Sequence, residues 1–155
     1  MAGRIDARLQ ELGLELPKAA APVAAYVPTV RSGNLLYLSG QIPMWNGELR
    51  YVGKLGAGMD VEEGRAAAQT CALNILAQAK AALDGDLDRV VRVVKLVGFV
   101  NCTPDFTDQP KVINGASELM QQVFGDAGRH ARSAVGAPSL PLGVAVEVEA
   151  ILEIA

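Results

Sequence analysis

The sequence has 155 residues, of which 50% are hydrophobic and 20% are charged, with 17 acidic and 14 basic side chains. This length and apolar content are typical of one globular domain with its own core, and they argue against a disordered chain. The small negative net charge excludes a general electrostatic attraction to nucleic acid, and no apolar run approaches the roughly 18 residues of a membrane helix. We therefore expect a cytoplasmic protein with no nucleic-acid or membrane partner.

The N-terminal segment predicts a short amphipathic helix. Apolar residues recur at helical spacing from Ile5 to Leu16, and Pro17 ends the pattern. We interpret residues 1–20 as a helical extension of a single domain that spans residues 1–155.

Short strands are predicted next. An extended stretch from Tyr26 to Val30 leads into a turn at Gly33 and Asn34, and a further strand begins at Leu35. That strand is predicted from Leu35 to Leu38, and Ser39–Pro43 closes it. Gly40 in this segment is a residue type that lets the backbone approach another group closely. The glycine-rich segment 53–58 lacks the GK[ST] ending of a phosphate-binding loop, so it predicts a plain loop.

Two helices and a long strand follow. The Asp60 and Glu63 pair predicts a capping box at the start of a helix that ends at Asp84. The valine-rich stretch Val90–Val100 predicts a central strand, and its nearly continuous apolar character predicts that both of its faces are covered.

The second helix is predicted from Pro110 in its first turn to a stop at Gly125. Two strands then end the chain. This order predicts an α+β or α/β sheet with both helices on one face. Because no helix remains for the other face, we expect an obligate homo-oligomer in which another copy covers it.

The C-terminal strand carries the candidate chemistry. From Val144 to Ile154, apolar residues occupy one parity, while Glu147, Glu149 and Glu153 occupy the other. Arg132 lies a short loop earlier. A guanidinium group that binds a carboxylate through two hydrogen bonds, near a carboxyl group that transfers a proton, is a minimal site for a small organic acid.

Three segments, in this order around two helices, resemble the Rid/YjgF family of reactive-intermediate deaminases, also called the L-PSP endoribonuclease family. They are Ser39–Pro43, Ala131–Ser133, and Leu140–Pro141 followed by Val146–Ile151. The resemblance extends from about Tyr26 to the C-terminus.

This resemblance implies a bacterial chorismate-mutase-like fold of the α+β class, with a single mixed sheet and two helices on one of its faces. It also implies a homotrimer with a central sheet barrel and sites in the clefts between subunits. Active members hydrolyse 2-imino acids or enamines to 2-keto acids and ammonia without a metal or organic cofactor. The implied partner is therefore a small carboxylate-bearing metabolite.

Residue by residue, the resemblance assigns the catalytic roles to Glu147 and Arg132, with Arg132 binding the substrate carboxylate. It implies further substrate-binding residues, namely Tyr26, Gly40, Gln41 and Asn114, and no metal ligand. Ala134 stands where the deaminases commonly have a cysteine, which is typical of a separate branch and leaves the substrate open.

Other interpretations remain for the same residues. Arg132 could form an interface salt bridge with a carboxylate such as Glu149, and Glu147 could belong to a solvated strand face. A binding protein for keto acids would need Arg132 but no proton carrier. The acidic balance and the absence of a histidine pair disfavour an endoribonuclease, and the two cysteines, Cys71 and Cys102, are expected to be buried reduced thiols.

Overall fold

The structure is a computed structural model that describes residues 3–22 and 25–155. Its helices are α1 (Arg4–Glu11), α2 (Val61–Ala82) and α3 (Gln109–Phe124). Its strands are β1 (Thr29–Ser32), β2 (Leu35–Gln41), β3 (Met44–Trp45), β4 (Glu48–Leu49), β5 (Lys54–Leu55), β6 (Gly58–Met59), β7 (Val90–Asn101), β8 (Ala131–Ala137) and β9 (Val146–Ile154). Within the described ranges, no helix is both long and apolar enough to cross a lipid bilayer.

Five strands form the main sheet in the order β1-β2-β9-β7-β8. The β7–β8 pair is parallel and the other pairs are antiparallel, so the sheet is mixed, as predicted. Two small ladders, β3–β4 and β5–β6, lie outside this sheet, so the prediction of a single sheet was incomplete. The second ladder occupies part of the glycine-rich segment that was predicted to be a plain loop.

Helices α2 and α3 pack on the same face of the sheet, as the element order predicted. The α2 residue Cys71 directs its sulfur at the carbonyl oxygen of Val146 in β9, and the α3 residue Ile113 lies against Gly98 in β7. Along β9 the burial alternates residue by residue, with the apolar parity buried and the glutamate parity partly exposed. The apolar parity therefore faces the helices and forms the core.

The helix boundaries follow local signals. At the start of α2, the Glu63 amide donates to the Asp60 carboxylate at 2.9 Å and the Glu63 carboxylate accepts from the Asp60 amide at 3.3 Å, which confirms the capping box. Gly125 ends α3 with a φ of 63°, as predicted. Helix α1 ends at Glu11 instead of Leu16, because Gly13 adopts a φ of 68° that stops the helix. The first two residues of the predicted extension lie outside the described chain.

The prediction that both faces of β7 are covered was wrong for the single chain that the structure describes. Val93, Leu96 and Val100 are fully buried beneath the helices, but Val97 and Phe99 on the opposite face are only partly buried. We call the sheet face that the helices do not cover the open face. Exposed apolar side chains lie on it near both edges of the sheet, namely Val30, Tyr37 and Val135.

Candidate functional site

Arg132 lies on β8, an edge strand of the main sheet, and pairs with the fully buried Leu96 of β7. Its side chain therefore faces α3. There, Nη1 donates to Asn114 Oδ1 at 2.8 Å and to Ser117 Oγ at 3.2 Å. These two bonds use both hydrogens of Nη1, so Nε and Nη2 remain as a pair of parallel donors that matches a carboxylate.

The hydrogen-bond partners of Arg132 are neutral, so they do not compensate its positive charge. Among the described residues the ion pairs do not include Arg132. The salt bridge with Glu149 that remained as an alternative does not form within the chain, because Glu149 lies on the opposite face of the sheet, paired with Val97. The guanidinium group is thus oriented by the protein but keeps its positive charge for a ligand.

His130 extends this hydrogen-bond network. Its Nδ1 lies 2.7 Å from the Gly128 carbonyl oxygen, which can only accept, so Nδ1 carries the ring proton. Its Nε2, 2.9 Å from Ser117 Oγ, then accepts the hydroxyl hydrogen of Ser117. Burial lowers the pKa of His130 from its ordinary value of 6.5, the Gly128 hydrogen bond opposes this effect, and the charge of Arg132 lowers the pKa further. The ring is therefore neutral at pH 7. It completes a series of hydrogen bonds from Arg132 through Ser117 and His130 to Gly128.

Glu147 lies on the open face of the sheet, between the buried Val146 and Val148 of β9. Its carboxylate packs directly over Gly40 of β2, where a Cβ atom would lie 2.9 Å from Glu147 Cδ and 3.0 Å from Cγ. The close backbone approach predicted at Gly40 is therefore an approach to Glu147. Burial raises the pKa of the Glu147 carboxyl, and the neighbouring charge of Glu149 raises it further.

Arg132 and Glu147 do not meet within one chain. They face opposite sides of the sheet, on β8 and β9, with β7 between them. Arg132 is opposite Leu96 and Glu147 is opposite Phe99, so they are offset by three residues along β7. Strand geometry separates their Cα atoms by roughly 14 Å. One chain thus carries two separate clusters, which we call the arginine half-site (Asn114, Ser117, His130, Arg132) and the glutamate half-site (Gly40, Glu147).

Two further predicted site residues lie nearer to the glutamate half-site. Tyr26 has an exposed fraction of 51% and precedes Pro28, whose carbonyl oxygen accepts from the Ser39 amide at 3.0 Å. This bond ties the Tyr26 segment to the strand that carries Gly40. Gln41 has an exposed fraction of only 8%, and its side-chain amide donates to the Ser39 carbonyl oxygen at 3.2 Å. Its side chain is therefore used inside the chain.

Sequence reasoning missed Ser117 and left His130 without a role. Both carried a positional signal. Ser117 follows Asn114 by three residues, which places both on one face of α3. His130 precedes Arg132 by two residues at the entry to β8, which directs both to one side of the strand.

Cys71 and Cys102 are both buried free thiols, as predicted. Burial raises the pKa of Cys71, so its thiol stays protonated. Among the described residues, no group of three or more His, Cys, Asp or Glu side chains is arranged to hold a metal ion.

Two similar proteins cover nearly the whole chain. Protein TCP17 of Trypanosoma cruzi is 55% identical over 153 residues, which cover 98% of this chain and 95% of that protein. The crystal structure of a protein of unknown function from Agrobacterium tumefaciens has a TM-score of 0.91 and 54% identity, over 97% of this chain and 92% of that chain. These similarities support the fold described above.

A more distant relative has a named activity. The 2-iminobutanoate/2-iminopropanoate deaminase of Dermatophagoides farinae is 31% identical over 141 residues, which cover 91% of this chain and 94% of that protein. The family described as "YjgF/chorismate mutase-like, putative endoribonuclease" matches residues 6–154. The resemblance predicted from the three sequence segments is thereby confirmed, and the chain belongs to the YjgF/chorismate-mutase-like family.

Proposed function

We propose that the protein hydrolyses 2-imino acids, or the enamines that equilibrate with them, to 2-keto acids and ammonia without a metal or organic cofactor. The observation that carries this proposal is the arginine half-site, where neutral partners fix Arg132 and leave two parallel donors for a carboxylate. The named activity of the Dermatophagoides farinae relative supports the same reaction class.

In this reaction Arg132 holds the substrate carboxylate through Nε and Nη2. A bidentate pair fixes both the position and the plane of the carboxylate, so C2 of the imine is presented in one orientation. Asn114 and Ser117 act on Nη1 and not on the ligand, which makes them positioning residues. This role differs from the direct substrate contact that was predicted for Asn114.

Glu147 transfers the proton. With its pKa raised, the carboxylate is a stronger base than an ordinary glutamate, and it accepts a proton from the attacking water as the oxygen bonds to C2. Glu147 passes this proton to the imine nitrogen, which gives a carbinolamine with a hydroxyl and an amino group on C2. It then takes the hydroxyl proton and passes it to the amino group, so the C–N bond breaks, the keto group forms and ammonia leaves. Gly40 allows the carboxylate to lie against the β2 backbone, whose peptide groups line this half-site.

The two half-sites are completed by different copies of the chain. We place Arg132 of one subunit opposite Glu147 of the next, in a homotrimer whose open sheet faces form a central barrel. The exposed Val30, Tyr37 and Val135 on the open face would be buried by this assembly. A closed ring of this kind contains three equivalent sites.

The test generates 2-imino acids with an amino-acid oxidase and measures the competition between enzymatic hydrolysis and semicarbazide trapping. We expect the wild type to reduce the amount of imine that semicarbazide traps, and we expect Arg132→Ala and Glu147→Gln to have no such effect. Glu153→Gln is the matched control, since it removes a carboxylate from the same face of β9 that is not a cause of the raised pKa of Glu147. Equal activity in Glu147→Gln and wild type would refute the proposed reaction.

Mixed assembly tests the position of the site. Arg132→Ala and Glu147→Gln chains, refolded together in equal amounts, should regain about one quarter of the wild-type sites, since each site needs an intact arginine and an intact glutamate from different copies. No recovery in verified mixed trimers would place both residues in one chain's site.

A non-catalytic binding protein for keto acids is the alternative function, because it needs only the arginine half-site. Titration calorimetry with 2-oxobutanoate distinguishes the two. Binding that depends on Arg132, together with no effect on the imine lifetime, would support the binding protein.

A further inference from the structure

A cavity lies at the C-terminal end of β8, away from Arg132. It has a volume of about 510 Å³ and is lined by nine residues. This volume is within the range of about 300–1,000 Å³ that is usual for small-molecule sites. The residues that matter here are Lys54, Cys102, Pro104, Phe106, Gln109 and Pro138, and we call it the Lys54 cavity.

Lys54 is the one charged residue among the nine that line the cavity. Its Nζ donates to Asn101 Oδ1 at 2.6 Å and to the Pro138 carbonyl oxygen at 2.5 Å. Both acceptors are neutral, and none of the ion pairs within residues 3–22 and 25–155 includes Lys54. The cavity therefore has a positive charge on its wall that these protein groups do not neutralise.

The ammonium group is held in place by a buried amide. Asn101 has an exposed fraction of 5%, and its Nδ2 donates to the carbonyl oxygens of Gly53 and Val144, each at 3.1 Å. These two bonds fix the amide so that Oδ1 must face Lys54. An ammonium group has three N–H donors, so one remains for a ligand after the bonds to Asn101 and Pro138.

The rest of the wall is suited to a compact apolar group. The ring of Phe106 and the rings of Pro104 and Pro138 line the cavity beside Lys54. The Gln109 amide nitrogen is held by the Phe106 carbonyl oxygen at 2.9 Å and the Cys102 sulfur at 3.6 Å, so it forms a fixed part of the wall. One free ammonium donor with apolar rings matches a monoanion that has a hydrocarbon part, whereas a phosphate group requires several donors around it.

We propose that the Lys54 cavity binds a small monocarboxylate, with the carboxylate on the Lys54 ammonium group and the hydrocarbon part against Phe106 and the two prolines. This site is separate from the proposed deaminase site. The register places Arg132 opposite Leu96 and Gly136 opposite Val100, which separates the two regions by about 13 Å along β8. The inference therefore stands on its own observations.

The experiment titrates 3-methylbutanoate into the full chain in an Arg132→Ala background, which removes the arginine half-site. We expect saturable shifts of the amide NMR signals of Cys102, Gln109 and Gly136. Lys54→Met should weaken the affinity at least tenfold, whereas Lys54→Arg, which keeps the charge, should retain binding. Lys111→Met is the matched control, since it removes an exposed lysine that lies outside the cavity wall.

Lys54→Met also removes the hydrogen bond to the Pro138 carbonyl oxygen, so two further measurements test the site without this substitution. Phe106→Ala should weaken 3-methylbutanoate much more than acetate, because only the longer ligand reaches the ring. Inorganic phosphate should not compete. Absence of saturable binding, unchanged affinity in a folded Lys54→Met variant, or equal competition by phosphate would overturn the proposal.

Discussion

The substitution Gly40→Ala should remove catalysis without removing the fold. Gly40 does not adopt a positive φ, so an alanine backbone is allowed there. The added Cβ would lie 2.9 Å from Glu147 Cδ and 3.0 Å from Cγ, and nearer still to the carboxylate oxygen Oε1. The Glu147 side chain must therefore rotate away from its present position.

The energies involved predict a small change in stability. Forcing a side chain about 30° from its rotamer costs about 0.5–1.5 kcal/mol. Replacing glycine by alanine within a strand recovers about 0.5–1 kcal/mol, because glycine loses more backbone entropy on folding. These effects offset each other, so the free energy of unfolding should change by less than about 1 kcal/mol.

The activity should change far more than the stability. A displaced general base loses its contribution to catalysis, which is about 10² or more in rate. We expect kcat/KM for imine hydrolysis to fall about 10²-fold in the oxidase and semicarbazide assay, while 2-oxobutanoate still binds at Arg132. The double variant Gly40→Ala/Glu147→Gln should be no less active than Glu147→Gln alone. Wild-type kcat/KM in Gly40→Ala, or a further loss in the double variant, would refute the reasoning.

Three more predictions concern Arg132, Glu147 and Gly98. Arg132→Lys should raise the KM roughly ten- to a hundredfold, because a charge-assisted hydrogen bond worth about 1.5–3 kcal/mol is lost, and an unchanged KM in steady-state kinetics would exclude bidentate binding. Since the fold raises the pKa of Glu147 above its ordinary value of 4.5, the wild type loses stability as the pH rises from about 4.5 to the folded-state pKa. The melting temperature of Glu147→Gln relative to the wild type should therefore increase over this range and stay constant above it. A difference that is constant over the whole pH range would show that ionisation of Glu147 is not involved. A Cβ at Gly98 would lie 2.5 to 2.7 Å from three carbons of Ile113, so Gly98→Ala should cost about 1–3 kcal/mol in denaturant unfolding; in the double variant with Ile113→Ala, the cost should be less than the sum of the two single costs.

The local elements were predictable because their signals are local. The Asp60 and Glu63 capping box satisfies backbone groups within one turn, and Gly125 stops a helix by its own conformation. The parity of β9 also follows from the sequence, since a strand directs successive side chains to opposite faces. The predicted end of α1 at Leu16 is too late, because the positive φ of Gly13 stops the helix although the apolar spacing continues to Leu16.

The sequence by itself determined the type and order of the main elements and the family, and it predicted the two chemical groups of the candidate site, a guanidinium and a carboxyl. Their surroundings depended on the tertiary structure. Arg132 has neutral partners because β8 docks beside α3, and Glu147 is partly desolvated because β2 brings Gly40 against it. These contacts join segments far apart in the chain, so no local pattern specifies them. For the same reason, only the sheet register showed that Arg132 and Glu147 face opposite sides.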